Sequence, residues 1–280
     1  MTHEKPILVL GSTGKTGRRV VERLTARGIP TRMGVRSGEP PFDWDDPDTW
    51  APVLQGVGSV YVQHYLDALP GAAEILGSFA ELAVGHGIPR LVHLSGRGEP
   101  EAELAAQAVR DMGAEVTTLR STWFSQNFSE SYFLDGLLAG ELALPAGKTP
   151  EPFVDAEDIA DVAVAALTED GHVGESYELT GPRLLTFTDA VGEIAQATGR
   201  EIRYVPVSIE DFAAGLDEQV PGEWIVLLVY LFQEVLDGRN AHLADGVQRA
   251  LGREPRDFAD YARDTAATGV WNPAPARRAA

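Results

Sequence analysis

An apolar run, Ile7-Leu8-Val9-Leu10, breaks into a turn that carries glycines at Gly11, Gly14 and Gly17, and a helical pattern starts directly behind it. Few folds accommodate such a stretch. The run reads as a buried strand that ends where glycine lets the backbone turn sharply. The helix behind it aims its unpaired N–H groups and positive dipole end at whatever sits in the turn. Val20, Val21 and Leu24 fall on one face of Thr16 to Arg27, and Gly28-Ile29-Pro30 closes that helix before a second strand-like run. Strand, turn, helix and strand make a βαβ unit whose turn suits a pyrophosphate. The spacing is G-x-x-G-x-x-G where G-x-G-x-x-G is commoner, and in a chain with 29 glycines the context carries the reading. An ordinary glycine-rich loop without a ligand is the alternative.

Gly14-Lys15-Thr16 imitates the end of the triphosphate loop G-x-x-x-x-G-K-[ST], but the residue five before Gly14 is Val9. Lys15 is then a side chain near a dinucleotide's phosphates, or a solvated lysine at a helix start. An NAD-binding chain usually sets Asp or Glu about 20 residues past the glycines to hold the ribose 2′-OH. No acid occurs between Glu22 and Glu39; the interval holds Arg32 and Arg36, and Arg36 stands where a guanidinium can clamp a 2′-phosphate. NADP(H) is expected over NAD, with a plain surface charge as the alternative for either arginine.

The net charge of −19 argues against nucleic acid and anionic membrane as partners. It is unevenly placed: residues 1–36 hold eight Lys or Arg against two Glu, net +6, and the rest of the chain is net −25. An anionic cofactor has one favourable place to go. Length and the 44% hydrophobic content allow one large α/β core with a smaller appended domain. The polar start Met1 to Pro6 reads as no signal peptide, and the longest apolar run, Trp224 to Phe232, is far short of a membrane span. With zero cysteines, thiolate chemistry and disulfides are out. A cytoplasmic protein, monomer or homodimer, is the simplest expectation.

Strand-like runs recur at Ser59–Val62, Arg90–Leu94, Val116–Leu119 and Glu175–Leu179, with helical periodicity at Ala72–Val84 and Glu101–Met112 between them. That alternation implies a parallel sheet with helices on both faces and ligands at the carboxyl ends of its strands. Beyond residue 121 the pattern is less regular, and Gly136 to Pro152 reads as an excursion out of the sheet.

Four stretches are similar to the NmrA-like atypical short-chain dehydrogenase/reductases, and the similarity covers most of the chain. They are Gly11 to Gly17; Leu119 to Asn127, similar to the family's Leu-Arg-Pro-x-x-Phe-x-x-Asn; Phe153 to Ala160, similar to its Val-x-x-x-Asp-Ile-Ala; and Tyr177 to Gly181. The wording around Met33–Trp50 and Val92–Gly98 resembles the branch of fungal ergot-alkaloid reductases, which implies NADPH-dependent reduction of a C=N or related bond. The fold implied is α/β, a Rossmann-like doubly wound parallel sheet with a smaller, mostly helical substrate domain. Its expected boundaries are residues 1–148 for the NADP-binding part, with a strand and helix returning from about 153–180, and 149–280 for the substrate part.

The resemblance implies a cofactor cradle of Gly11, Thr13, Gly14, Lys15, Thr16 and Gly17, Arg36 at the 2′-phosphate, and Gln63 and Ser95 further along the cofactor. It implies Trp123, Phe124 and Asn127 beside the nicotinamide end, although Trp123 and Phe124 can equally be core aromatics. Asp155 and Asp158 match family positions, and as acids before an apolar-periodic segment they also read as helix caps.

Catalysis departs from the ordinary pattern. Short-chain dehydrogenases protonate the nascent alkoxide with the Tyr of Tyr-x-x-x-Lys, and here no lysine lies four residues after any of the seven tyrosines. An iminium carbon takes a hydride without an obligatory proton, whereas a ketone needs a donor. The candidates are His64, Tyr65, Ser95 and Lys148, or a hydroxyl of the substrate; a packing role is the alternative for His64. No G-x-S-x-G hydrolase elbow surrounds Ser95, and the six histidines, His3 among them, show no i, i+4 pair, so no metal is expected. Ile209–Leu216 and Trp224–Leu236 read as helices, the second apolar nearly all round. It is a packing or dimer helix, or a pocket wall; if Trp224, Tyr230 and Phe232 face the cofactor, the substrate is hydrophobic, aromatic or polycyclic. Two functions fit: an NADPH-dependent reductase of C=O or C=N bonds in a small hydrophobic, secondary-metabolite-like molecule, or a non-enzymatic NADP-binding redox sensor of NmrA type.

Overall fold

Alternating apolar runs and amphipathic helices fold into two units in the computed structural model, which describes residues 5–131, 133–216 and 220–273. Met1 to Glu4, and with them His3, lie outside the described residues. In chain order the strands and helices are β1 (Ile7–Leu10), α1 (Lys15–Ala26), β2 (Thr31–Gly34), α2 (Trp50–Leu54), β3 (Ser59–Gln63), α3 (Ala72–Gly85), β4 (Arg90–Gly96), α4 (Pro100–Asp111), β5 (Glu115–Ser121), α5 (Phe133–Ala139), β6 (Glu141–Leu144), α6 (Ala156–Thr168), β7 (Ser176–Leu179), α7 (Phe187–Thr198), β8 (Arg203–Pro206), α8 (Ile209–Gly215), α9 (Gly222–Tyr230), α10 (Gly246–Leu251) and α11 (Phe258–Ala267).

The first unit takes the chain up to Thr122, then Ala156–Thr180 and Ala244–Pro255. Its sheet is parallel throughout, in the order β2-β1-β3-β4-β5-β7. Every residue of β1 is buried, the mark of a strand covered on both faces. The order reverses between β1 and β3, and a doubly wound sheet opens its binding crevice at such a point, at the carboxyl ends of the strands. Beneath it Leu8, Leu10, Val60, Val62, Phe79 and Leu91 form part of one buried cluster. Helices α1 and α6 are tied by ions: Arg19 Nε meets Glu157 at 2.5 Å and Arg23 Nε meets Asp161 at 2.6 Å.

The second unit takes Trp123–Asp155, Gly181–Leu243 and the chain from Arg256 on, so the expected boundary at residue 148 lies inside it. It is mostly helical, with one parallel strand pair, β6 and β8. The Gly136 to Pro152 excursion holds the end of α5 and all of β6, both too short to show a period. Its core is aromatic, built around Phe128, Phe133, Phe153, Phe187, Phe232 and Trp271. Helix α7 starts with a capping box, Thr186 and Asp189 bonding each other's backbone N–H. Among the described residues, no helix is long and apolar enough to cross a membrane.

Candidate active site

The three glycines of the turn have three separate reasons. Gly11 has φ +62° and lies under the Gln63 amide at the end of β3; a Cβ there would stand 2.2 Å from Gln63 Oε1. Gly14 donates its N–H to the Gly11 carbonyl at 2.9 Å and stands at the N-cap of α1 with no side-chain cap. Gly17 packs against the Gly11 carbonyl, where a Cβ would meet the oxygen at 2.2 Å. Tyr61, fully buried on β3, pins the helix start by donating to Thr16 Oγ1 at 3.0 Å. The first turn of α1 carries no acid, and the buried hydroxyl of Ser12 has no hydrogen-bond partner among the described residues. Uncapped N–H groups, an unused buried hydroxyl and a backbone stripped of side chains fit a pyrophosphate. Thr13 is exposed and Lys15 half-buried in the same turn.

Arg36, just past β2, is 72% exposed at its side chain and pairs with Asp43 at 3.0 Å and Asp45 at 3.9 Å. Arg32 instead donates to the Val53 and Gln55 carbonyls, both at 2.7 Å. Arg32, Arg19 and Arg23 are thus held by the fold, and the local positive field is thinner than a net +6 suggests.

At the carboxyl ends of β3 and β4 the expected donors take different surroundings. His64 is buried, edge-on to Trp44 at 4.9 Å and stacked on Tyr65 at 5.1 Å, and its Nδ1 accepts the Leu66 N–H at 3.2 Å. Burial holds its pKa down at about 4 against the opposing charge of Asp45, so near neutrality the ring is uncharged with its proton on Nε2. The Tyr65 hydroxyl donates to Asp45 Oδ2 at 3.4 Å. Ser95 is buried and donates to the Ala102 carbonyl at 3.2 Å. The structure gathers Gly11, Gln63, His64 and Ser95 at this edge of the first unit, while Lys148 is exposed on the second.

Sequence reasoning missed two residues here, Asp67 and Glu99. The Gly96 N–H donates to Asp67 Oδ2 at 3.2 Å, and the Glu99 carboxyl lies where a side chain on Gly96 would go. Burial pushes Asp67 up; burial and the Asp67 charge together push Glu99 up further. The available signal was a single one: an acid two residues past a strand-end Gly96-Arg97 pair and directly before Pro100, a place that also reads as a plain helix cap.

In the second unit Trp123 is half-buried against Phe232 at 5.0 Å, Phe187 at 5.6 Å and Phe133 at 6.3 Å. Phe124 bridges to Val154 as an isolated parallel pair, and the Asn127 N–H bonds the Phe124 carbonyl at 3.0 Å. Asp155 accepts from Gln126 Nε2 at 2.7 Å, and Asp158, in the first unit, is fully buried and accepts from Arg253 at 2.7 Å. Helix α9 is apolar, yet only Leu227 and Leu228 are buried; Trp224 and Tyr230 are half-buried and Val226 is 58% exposed. It runs into one π-helical stretch, Leu231–Val235, which turns Phe232 and Val235 inward. Among the described residues, no three His, Asp or Glu come together as a metal site.

No family model matches the chain. It is 30% identical over 289 residues to agroclavine dehydrogenase of Claviceps fusiformis, across 95% of this chain and 98% of that one. It is 28% identical over 288 residues to an NAD(P)H azoreductase of Xenophilus azovorans, across 93% and 98% of the two chains. Among solved structures, triphenylmethane reductase of a Citrobacter species, complexed with NADP(H), matches with TM-score 0.73 and 19% identity over 93% of this chain and 99% of that one. The negative transcriptional regulator NmrA matches with TM-score 0.70 and 18% identity, over 95% and 98%. These two likenesses show the fold alone.

Proposed function

The chain belongs to the NmrA-like atypical short-chain dehydrogenase/reductases, and from that premise we propose that it reduces a C=O or C=N bond of a small hydrophobic substrate with NADPH. It is an NAD(P)-dependent reductase by kinship. The observation that carries the cofactor is the turn behind β1: three glycines cleared of side chains around an uncapped helix start and the unpartnered Ser12 hydroxyl. Gly11 to Gly17 would hold the pyrophosphate, with Gln63 and Ser95 along the cofactor, and Arg36 would exchange Asp43 for the 2′-phosphate. Bound there, NADPH supplies a hydride at the nicotinamide.

The half-buried aromatics Trp123, Phe124, Trp224 and Tyr230, with Asn127, are the surface we assign to the substrate. They suit a flat apolar molecule, a class in keeping with relatives named for agroclavine and for azo reduction. Orientation alone suffices for an iminium acceptor.

Titration of the purified protein by nicotinamide fluorescence tests the cofactor assignment. Arg36→Ala should raise the Kd for NADPH about tenfold or more, the range for a lost charge-assisted hydrogen bond, and leave NADH unaffected. Equal loss for both nucleotides would contradict it. Tyr230→Ala should raise substrate KM with NADPH affinity unchanged; parallel loss of the two would remove Tyr230 from the substrate surface. Saturable NADPH binding without turnover on any imine, quinone or ketone would favour the sensor reading.

A further inference from the structure

We propose that Glu99 is the proton donor of this reduction and that Asp67 is the positioning residue that keeps the proton on it; the proposal rests on the reductase reading above. The two carboxyls meet at Gly96, the last residue of β4. Asp67 Oδ2 accepts the Gly96 N–H at 3.2 Å, and a Cβ on Gly96 would lie 2.3 Å from Glu99 Oε2 and 2.4 Å from Oε1. Glu99 therefore fills the space that a glycine leaves open at the carboxyl edge of the sheet, next in line to Ser95 and Gln63. It stands at the N-cap of α4 without capping it, so its carboxyl is not committed to the helix.

The charges on the surrounding elements are engaged elsewhere. Arg97 meets Glu178 at 2.9 Å, and Arg110 and Arg120 meet Glu103 at 3.0 and 2.7 Å. No arginine or lysine among the described residues forms an ion pair with Asp67 or Glu99. The Asp67 charge acts on Glu99, so the two half-buried carboxyls do not both ionise near neutrality. Asp67 has the backbone N–H groups of Gly96, Ala68 and its own residue to hold a negative charge, whereas on Glu99 only burial and the Asp67 charge act. The shared charge rests on Asp67 and the proton on Glu99. This is the acid that the missing Tyr-x-x-x-Lys would have supplied.

The step balances. The acceptor carbon gains the hydride of bound NADPH, the C=O π pair moves to oxygen, and that oxygen takes the Glu99 proton; the resulting carboxylate recovers a proton from water. NADPH, one proton and the carbonyl become NADP⁺ and the alcohol. An iminium acceptor draws no proton, so the two substrate classes should separate.

The first test needs no turnover. In the apo-protein labelled with ¹³C-carboxyl glutamate and aspartate, Glu99 should titrate well above the ordinary carboxylate range, and Asp67→Asn should bring it back toward that range. With NADPH, E99Q should keep the wild-type Kd, while its quinone-to-iminium rate ratio, read with phenanthrenequinone and N-methyl-dihydroisoquinolinium, falls about 100-fold, the lower range for loss of a general acid. The alkaline limb of the quinone pH profile should move to lower pH in D67N. Glu99 titrating as an ordinary carboxylate, or an unchanged rate ratio in E99Q, overturns the proposal alone. Failure of the wild type to bind NADPH overturns the reductase reading beneath it.

Discussion

Gly17→Ala should raise the Kd for NADPH about 5- to 150-fold and lower the thermal midpoint, because overpacking of this kind costs about 1–3 kcal/mol and displaces the turn itself. The new Cβ would meet the Gly11 carbonyl oxygen at 2.2 Å, its carbon at 2.7 Å and Ser12 Cα at 3.0 Å. All three are backbone atoms, so no side chain can swing aside. The turn must open, and with it the N–H groups and the Ser12 hydroxyl lose their common focus. Gly14→Ala meets only the Gly11 oxygen at 3.2 Å and should cost far less. Gly11→Ala meets a movable Gln63 amide but sits at φ +62°, a strain of about 1–2 kcal/mol, and should fall between them. Calorimetric unfolding with nucleotide titration of the three variants gives the ranking; a Gly17→Ala protein that binds like wild type would contradict it.

Below pH 6.5 two buried imidazoles should withdraw stability from the fold, against an opposite contribution from Asp67 and Glu99, whose raised pKa values make the folded state bind more protons there. His93 on β4 is fully buried, with neither ring nitrogen hydrogen-bonded among the described residues, and burial with the nearby charges of Arg110 and His64 pushes its pKa down to about 3. His64 is held at about 4. Both folded values lie below the unfolded one, so the folded state binds fewer protons. The stability that follows is complete above pH 6.5 and is lost as pH falls toward 4 and 3. Between pH 7 and pH 5 each imidazole should withdraw about 2 kcal/mol, from ~1.4 kcal/mol per pH unit below the unfolded value. His93→Leu removes one of the two losses and the unpaired buried nitrogens with it, so its stability at pH 7 should equal or exceed wild type. Urea unfolding at the two pH values measures this. Equal losses in wild type and His93→Leu would mean the ring is charged or solvated in the folded state.

The βαβ unit was legible because its signals are local: a strand-length apolar run, glycines forced by backbone contacts, and a 3.6-residue period that begins inside the turn. The strand runs at Ser59, Arg90, Val116 and Glu175 fall on β3, β4, β5 and β7 within a residue or two at each end. Helix α5, of seven residues, and β6, of four, were hidden because neither shows a period inside a stretch rich in glycine and proline. The helical pattern of Trp224 to Leu236 could not announce the π-helical stretch from Leu231, since the apolar spacing continues through it. Charge was misleading as a sum: Arg32, Arg19 and Arg23 read as cofactor field, yet their partners are carbonyls and acids far along the chain. The Asp67–Glu99 pair was hidden because the two lie on different loops, and only the pairing of β3 with β4 brings those loops together.

The measurement closest to the central claim is transfer of label from 4-deuterated NADPH, of each face in turn, to a cyclic iminium acceptor, followed by mass spectrometry of the amine. One face should deliver its deuterium to the acceptor carbon, with nucleotide oxidised in equal amount. Tight NADPH binding with no deuterium in any product from either face would contradict it and leave a nucleotide sensor in place of a reductase.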